Sequence, residues 1–528
     1  MKALRRGAVP LALSPFLSLA LSICAGLAQA CSIAAPWNGQ PVWWLQLLSL
    51  AVLAWQIGRC TSWTGAALRG WLFATAWLTG TFWWLFISMH TYGGLAAPLA
   101  VLAVLALAGF LALYYAAACG IFAALAPVNR AWGAIVFAAL WLLAELVRGS
   151  WFTGFPWGAG GYAHVDGWAR PLAAWVGVYG LGFVAAAVAA LLAGWISGPR
   201  PRRVAALALA GLSVAVAALP ARDPAERAAP AAPLGVTLLQ GNIPQDEKFQ
   251  GGTGIPLALQ WYGEQLHDAR TPLVVAPETA IALLPRQLPE GYWAALRQRF
   301  AAGEQAALIG IPLGSHQQGY TNSVLGLQPG QAASYQYDKH HLVPFGEFIP
   351  PLFRWFTEMM NIPLGDFNRG AVGQASFEVA GQRLAPNICY EDLFGEELGA
   401  RFRDPAAAPT IMVNLSNIAW FGNTVAIDQH LQISRMRSLE FERPMLRATN
   451  TGATVIIDHR GRVTHALQRH TRGVLVGEVV GRTGTTPYAW WVSRFGLWPL
   501  WLLGLALAAL TAWTGWAGVR AARRASAP

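Results

Sequence analysis

Three short segments bring together side chains that can carry acyl chemistry. In Pro386-Asn387-Ile388-Cys389-Tyr390-Glu391-Asp392 a thiol stands just before a helical pattern that starts at Gly395. Free amides and the dipole at a helix start favour a thiolate, and a thiolate attacks acyl carbons well. In Val274-Val275-Ala276-Pro277-Glu278-Thr279 an apolar run ends at a carboxylate followed by a break. A carboxylate presented from the end of a buried strand can accept the thiol proton. In Tyr337-Asp338-Lys339-His340-His341 an ammonium is available to steady the negative oxygen of a tetrahedral intermediate. Singly, each residue has a plainer reading. A buried cysteine is often a small core hydrophobe, Glu278 can be a structural ion-pair partner, and Lys339 can be a surface charge. The three local sequences taken together are far more specific.

The elements that must position these residues lie in the polar stretch from 221 to 488. Residues 221–233 form a Pro/Ala-rich linker, after which the composition shifts. Short β-type runs at 234–240, 273–276, 307–312, 410–415, 454–457 and 474–479 alternate with helical patterns near 255–269, 291–302, 395–403 and 424–442. That alternation predicts an α/β layered domain. Cys389 is the only cysteine in it, so an internal disulfide is excluded there; Cys24, Cys31, Cys60 and Cys119 all lie in the apolar N-terminal half. No clustered Cys/His spacing suits zinc, and the adjacent His340 and His341 diverge on either a helix or a strand.

The rest of the chain needs a solvent other than water. Of 528 residues, 55% are hydrophobic, only 12% are charged and 26 are tryptophan, whereas a soluble chain carries about twice that charged fraction. Apolar stretches at 9–30, 41–57, 70–89, 95–126, 131–147, 172–196, 203–220 and 495–518 approach the length of a membrane-crossing helix. The stretch at 95–126 is long enough to expect a tilt or a break. The first stretch follows Lys2, Arg5 and Arg6 and precedes Ala28-Gln29-Ala30, so a cleaved signal peptide competes with a retained anchor; the spans that follow at once favour retention. Connections holding Arg59 and Arg69, Arg130, or Arg200 to Arg203 alternate with connections poor in Lys and Arg, and Arg520, Arg523 and Arg524 close the chain. Eight spans with both ends in the cytoplasm fit the pattern, and 221–488 then lies outside. Two arginines between 148 and 170 break it. The net charge of +11 is explained by arginines beside spans and calls for no nucleic acid.

Pro277-Glu278-Thr279, Asp338-Lys339-His340 and Ile388-Cys389-Tyr390-Glu391-Asp392 resemble the Glu-Lys-Cys nitrilase, or carbon–nitrogen hydrolase, superfamily. Such a domain set among membrane spans resembles the apolipoprotein N-acyltransferase family. Gln240-Gly241-Asn242-Ile243-Pro244-Gln245, the run from His341 to Glu347, Asn414-Leu415-Ser416-Asn417 with Trp420-Phe421-Gly422, and Thr153-Gly154-Phe155-Pro156-Trp157 extend the resemblance over nearly the whole chain. It departs at Ala276, where the family often has tryptophan, and at Ile418, where it usually has aspartate. The resemblance implies an αββα sandwich beside about eight spans, with 1–220 and 489–528 in the membrane part and 221–488 as the catalytic part. It implies Glu278, Lys339 and Cys389 as catalytic, with Glu347 and Glu391 supporting them. It implies a phospholipid donor such as phosphatidylethanolamine, a diacylated apolipoprotein acceptor, no cofactor, a monomer, and a place in the bacterial inner membrane facing the periplasm.

Further residues are expected around this centre. Tyr390 adjoins the thiol, Asn322 can hydrogen-bond in the pocket, and Trp420 can line a substrate passage. Trp157 belongs to a connection on the same side as Cys389 and can line the lipid path. Residues 345–367 carry Phe348, Ile349, Trp355, Phe356, Met359 and Met360, which suits an amphipathic lid dipping into the outer leaflet. Two other activities compete: a membrane-tethered amidase that uses water, and a transporter with an inactive nitrilase-like domain. The second is disfavoured because charges are scarce in the spans, Glu145 being the exception.

Overall fold

The structure, a computed structural model, describes residues 14–127, 130–195, 211, 232–331, 333–350 and 366–525. The expected span at 203–220 apart from Gly211, most of the linker, and the lid residues 351–365 lie outside that set.

Seven long apolar helices are described: Pro15–Ala30 (α1), Trp43–Ile57 (α2), Trp63–Phe82 (α3), Ala97–Leu125 (α4), Arg130–Ser150 (α5) and Ala173–Trp195 (α6) before the α/β domain, and Trp498–Ala525 after it. Four of them are long and apolar enough to cross a membrane, and a fifth crossing results if α3 is joined to the turns at Leu85–Tyr92 across a bend of 60°. The shorter α1 and α2 have 16 and 15 residues, roughly 24 Å at a rise of about 1.5 Å per residue. Of the tilt or break expected for 95–126, there is no break: α4 runs uninterrupted for 29 residues. The bend falls after α3 instead, and its cause is visible. The Thr81 hydroxyl donates back to the Trp77 carbonyl at 2.8 Å, and the Gln429 amide donates to the Thr81 carbonyl at 3.0 Å, taking the acceptor that the next helical turn would use.

The α/β domain contains two six-stranded sheets. The first has the order β12-β1-β2-β3-β4-β5, built from Gly473–Val479 (β12), Leu234–Gln240 (β1), Leu273–Ala276 (β2), Ala306–Ser315 (β3), Gly319–Leu327 (β4) and Tyr335–Asp338 (β5). The second has the order β11-β10-β9-β8-β7-β6, built from Val463–Ala466 (β11), Val455–Ile457 (β10), Met445–Thr449 (β9), Ile411–Ser416 (β8), Gln382–Ile388 (β7) and Phe377–Val379 (β6). In each sheet three parallel strands are flanked by antiparallel ones. Strand alternation makes the layers. Val236, Leu238, Val275 and Leu308 meet Ile388, Val413, Leu415 and Leu446 between the sheets. The opposite faces of β2 and β3 pack on Gly254–Asp268 (α7) and Tyr292–Ala302 (α8). The outer face of the second sheet packs on Val425–Phe441 (α9), and that core is continuous with the one inside the helical part. This is the αββα sandwich expected from the sequence.

The two parts meet through connections at one end of the helices. Gly39 after α1 accepts from the Gln432 amide at 3.1 Å. The segment after α3 packs Trp84 against Phe421, the two rings tilted to each other. Asp166, between α5 and α6, pairs with Arg435. This is the end expected to be poor in Lys and Arg, and the exception at Arg148 has a structural cause. Arg148 is buried and donates to the Tyr115 hydroxyl and to the Phe155 and Trp157 carbonyls at 2.9, 2.7 and 2.6 Å, so it holds the connection in shape. Glu145, also inaccessible, accepts from the Gly160 amide at 2.8 Å. The helix Pro487–Phe495 (α10) completes the seam. Inside α6, Gly177 has φ +66°, and a Cβ there would stand 2.3 Å from the Tyr488 ring of α10. The kink frees the Val178 amide, which donates to Glu440 Oε1 at 2.7 Å. Gly177→Ala is therefore expected to destabilise the protein by on the order of 2 kcal/mol, read as a lower thermal midpoint in detergent. An unchanged midpoint would refute the role given to the kink.

Candidate active site

Strand ends deliver the site. Two residues past β2 stands Glu278, one past β5 stands Lys339, and one past β7 stands Cys389. Two of the backbones are in the left-handed region, Thr279 at φ +47° and Cys389 at φ +53°. Non-glycine residues rarely adopt it, and it recurs where a side chain must be aimed. All three side chains open into one cavity of about 640 Å³. Its far wall is membrane helix: Leu85 and Met89 from the bend, and Ala103, Val104, Leu107 and Phe110 from α4.

Hydrogen bonding separates the two carboxylates. Glu347 Oε1 accepts from Asn322 Nδ2 at 2.7 Å and Lys339 Nζ at 2.9 Å; its Oε2 accepts from the Val343 amide at 2.8 Å and lies 2.8 Å from Lys339 Nζ. A carboxylate offers about four acceptor sites, so Glu347 is saturated and acts as a holder. Glu278 Oε1 accepts from Asn322 Nδ2 at 2.8 Å and Lys339 Nζ at 3.4 Å, while among the described residues Oε2 accepts only the Asn417 amide, at 2.8 Å. One site on Oε2 is left for a proton from outside. Asn322, on β4, bridges both carboxylates. Burial works against the Lys339 ammonium, but Glu347 and then Glu278 outweigh it and hold its pKa above the ordinary lysine range.

The thiol differs from expectation. Burial pushes Cys389 up to about 12, Glu278 adds to the shift, and Lys339 and Ser416 pull against it. The anticipated helix start is a single turn at Cys389–Leu393 followed by a five-residue helix, Gly395–Gly399. Neither is long enough to build a useful dipole, so the helix start that would favour a thiolate is missing.

The supporting residues divide. Glu391 does not reach Lys339. It is a buried brace that accepts from the Ile388 amide at 2.6 Å, the His340 amide at 2.7 Å and the Tyr337 hydroxyl at 2.8 Å, tying the end of β7 to the turn after β5. Burial raises its pKa against the pull of those donors. Trp420 lines the cavity and meets Tyr92 edge-on. Tyr390 points away, its hydroxyl 3.1 Å from the Gly154 carbonyl. Trp157 is not on the cavity wall but one layer behind, tilted against Trp84 and donating to Gln429 Oε1 at 2.8 Å. Ile418, one of the departures, is buried in the core. Among the described residues no group of three or more His, Cys, Asp or Glu is placed to hold a metal ion.

Residues 25–191 match the apolipoprotein N-acyltransferase N-terminal domain, and residues 236–488 match the carbon-nitrogen hydrolase family. An apolipoprotein N-acyltransferase of Verminephrobacter eiseniae is 64% identical over 90% of this chain and 92% of its own. Proteins of the same name from Ralstonia nicotianae and Bordetella bronchiseptica are 47% and 43% identical, over 84% and 90% of this chain and 85% and 93% of theirs. The chain belongs to the apolipoprotein N-acyltransferase family. Among solved structures, Saccharomyces cerevisiae Nit3 of the nitrilase superfamily is similar at 14% identity and a TM-score of 0.35, over 47% of this chain and 90% of that one.

One further residue of the site carries no signal in the sequence. Lys248 is buried, and its Nζ donates to the Glu278 carbonyl at 3.1 Å. Burial brings its pKa down to about 8, against the pull of Glu278 and Cys389. In sequence it follows Asp246 and Glu247, where a lysine reads as solvated.

Two outcomes are expected. Alkylation of Cys389 by iodoacetamide, followed by mass spectrometry, should keep rising from about pH 6 to about pH 9, as for a thiol that is protonated throughout; a plateau from about pH 7 would show a preformed thiolate. Asn322→Asp replaces the shared donor with a third carboxylate and should lower turnover about ten- to a hundredfold while the protein stays folded; wild-type turnover would contradict the bridge.

Proposed function

We propose that this chain moves an acyl group from a phospholipid to an amine through a thioester on Cys389. The cavity carries this reading: the candidate nucleophile, base and ammonium share it with Met89, Val104 and Phe110 of apolar helices. An enzyme for small soluble amides needs no such wall, whereas an ester bearing a long alkyl chain does. The family supports the same chemistry. The site lies within one chain, which supports a monomer, and the arginine distribution supports the α/β domain facing the periplasm across the bacterial inner membrane. We assign 1–220 and 489–528 to the membrane part and 221–488 to the catalytic part.

The first half-reaction starts from a neutral thiol. Glu278 Oε2 takes the proton from Cys389 as the sulfur attacks the sn-1 ester carbonyl of a lipid such as phosphatidylethanolamine. With the thiol pushed so high, deprotonation and attack run together. Lys339, held between Glu347 and Glu278, lends its positive charge to the oxyanion. The C–O bond breaks, Glu278 returns the proton to the lysophospholipid hydroxyl, and a thioester remains. In the second half, the neutral α-amine of a diacylglyceryl-cysteine apolipoprotein attacks the thioester carbon. Glu278 takes a proton from nitrogen, the C–S bond breaks, and the proton passes to sulfur. The product is an amide-linked third chain and a restored thiol, the last step of lipoprotein maturation.

The test is mass spectrometry of the purified protein after exposure to phosphatidylethanolamine vesicles, then to a diacylated lipopeptide. The expected result is an acyl-sized adduct on Cys389 that disappears as triacylated peptide forms, with neither step in Cys389→Ala. Free fatty acid without acylated peptide would identify a hydrolase instead.

A further inference from the structure

The left-handed backbone of Cys389 is held from two sides through its carbonyl. Asn414 Nδ2 on β8 donates to that oxygen at 3.2 Å, and His430 Nε2 on α9 lies 3.2 Å from it. The position of the imidazole proton follows from the neighbours. Arg447 Nη2 is 2.7 Å from His430 Nδ1, and a guanidinium can only donate. Nδ1 therefore accepts, and Nε2 carries the hydrogen, directed between the Cys389 carbonyl and Asp392 Oδ1 at 2.9 Å. Asp392 also accepts from Ser434 and Arg447. His430, Asp392 and Arg447 are all buried. Burial and Arg447 keep the His430 pKa below its ordinary value, in keeping with a neutral ring.

The preceding residue faces the membrane part. Gln429 donates to the Thr81 carbonyl at the bend and accepts from both Trp84 and Trp157. Trp157 also covers the imidazole, with ring centroids 5.3 Å apart. One turn of α9 thus grips the membrane span with one residue and the nucleophile's backbone with the next.

We propose that His430 is a positioning residue for the acyl transfer: its Nε2–H holds the Cys389 carbonyl and so keeps the turn that aims the sulfur into the cavity. The proposal rests on Cys389 being the nucleophile. The ring meets backbone, carboxylate and guanidinium, and is absent from the cavity wall, so it shuttles no proton to substrate. It also fixes what Trp157 does, since that indole seals the imidazole against the membrane part.

The experiment compares His430→Leu with His430→Gln, whose amide N–H reaches close to the Nε2 position. For each full-length variant, the rate of acyl-adduct formation on Cys389 is measured with phosphatidylethanolamine vesicles, alongside the apparent KM for donor and the thermal midpoint. Misplacing a reacting atom costs about 10²-fold, so His430→Leu should lose about that much in rate with KM nearly unchanged. His430→Gln should recover most of it and keep the wild-type pH profile. If His430→Leu does not fold, His430→Asn, whose amide falls short of the carbonyl, should show the same loss. A His430→Gln variant as slow as His430→Leu, or a leucine variant at wild-type rate, would overturn the proposal. Absence of any adduct on the wild-type protein would count against the proposed function itself; iodoacetamide alkylation, which needs no lipid, then decides the positioning claim, slower in the leucine variant but not in the glutamine one if it is right and equal in all three if it is wrong.

Discussion

Two buried carboxylates and one buried ammonium share a pocket, and every other part of the site answers to that arrangement. A buried ion pair is tolerated only when its remaining hydrogen-bonding sites are filled. Here Asn322 reaches both Glu278 and Glu347, and the Val343 and Asn417 amides take two more positions. The filling is uneven, and that unevenness gives two identical functional groups different work. The saturated Glu347 anchors Lys339, while the one vacant position on Glu278 can receive a proton.

The same economy governs the seam between the two parts. A polar domain laid against apolar helices must satisfy its backbone without water. It does so with charged and amide side chains from α9: Gln429 to Thr81, Gln432 to Gly39, Arg435 to Asp166, and Glu440 to Val178. These residues recur along successive turns, so α9 is the spine on which both parts are registered.

Much of the layout was legible in the sequence. Glu278 announces itself because an apolar run ends in a polar break, where parallel strands present side chains, and Cys389 because it stands in Ile388-Cys389-Tyr390-Glu391-Asp392 before a helical pattern. β5, which carries Lys339, was not legible, since Tyr335-Gln336-Tyr337-Asp338 is a short edge strand with mixed polarity. β7 was hidden by Pro386 and Asn387, although Asn387 is fully buried and bonded to Asn414. The bend after the third helix was not legible, because its partner is a glutamine 348 positions away. The helix start expected after Cys389 is only a short turn, while burial and a neighbouring carboxylate push the thiol's pKa up.

The wall formed by α4 has one more consequence. Ala106 and Phe110 line the cavity and are also exposed on α4, so a route past this apolar helix would enter the chamber from the side. A molecule arriving by that route diffuses in two dimensions and never crosses bulk water. Its supply is set by how many such molecules occupy a unit of surrounding surface. Saturation for such a partner is therefore a matter of mole fraction in a sheet, and diluting the suspension leaves it unaltered.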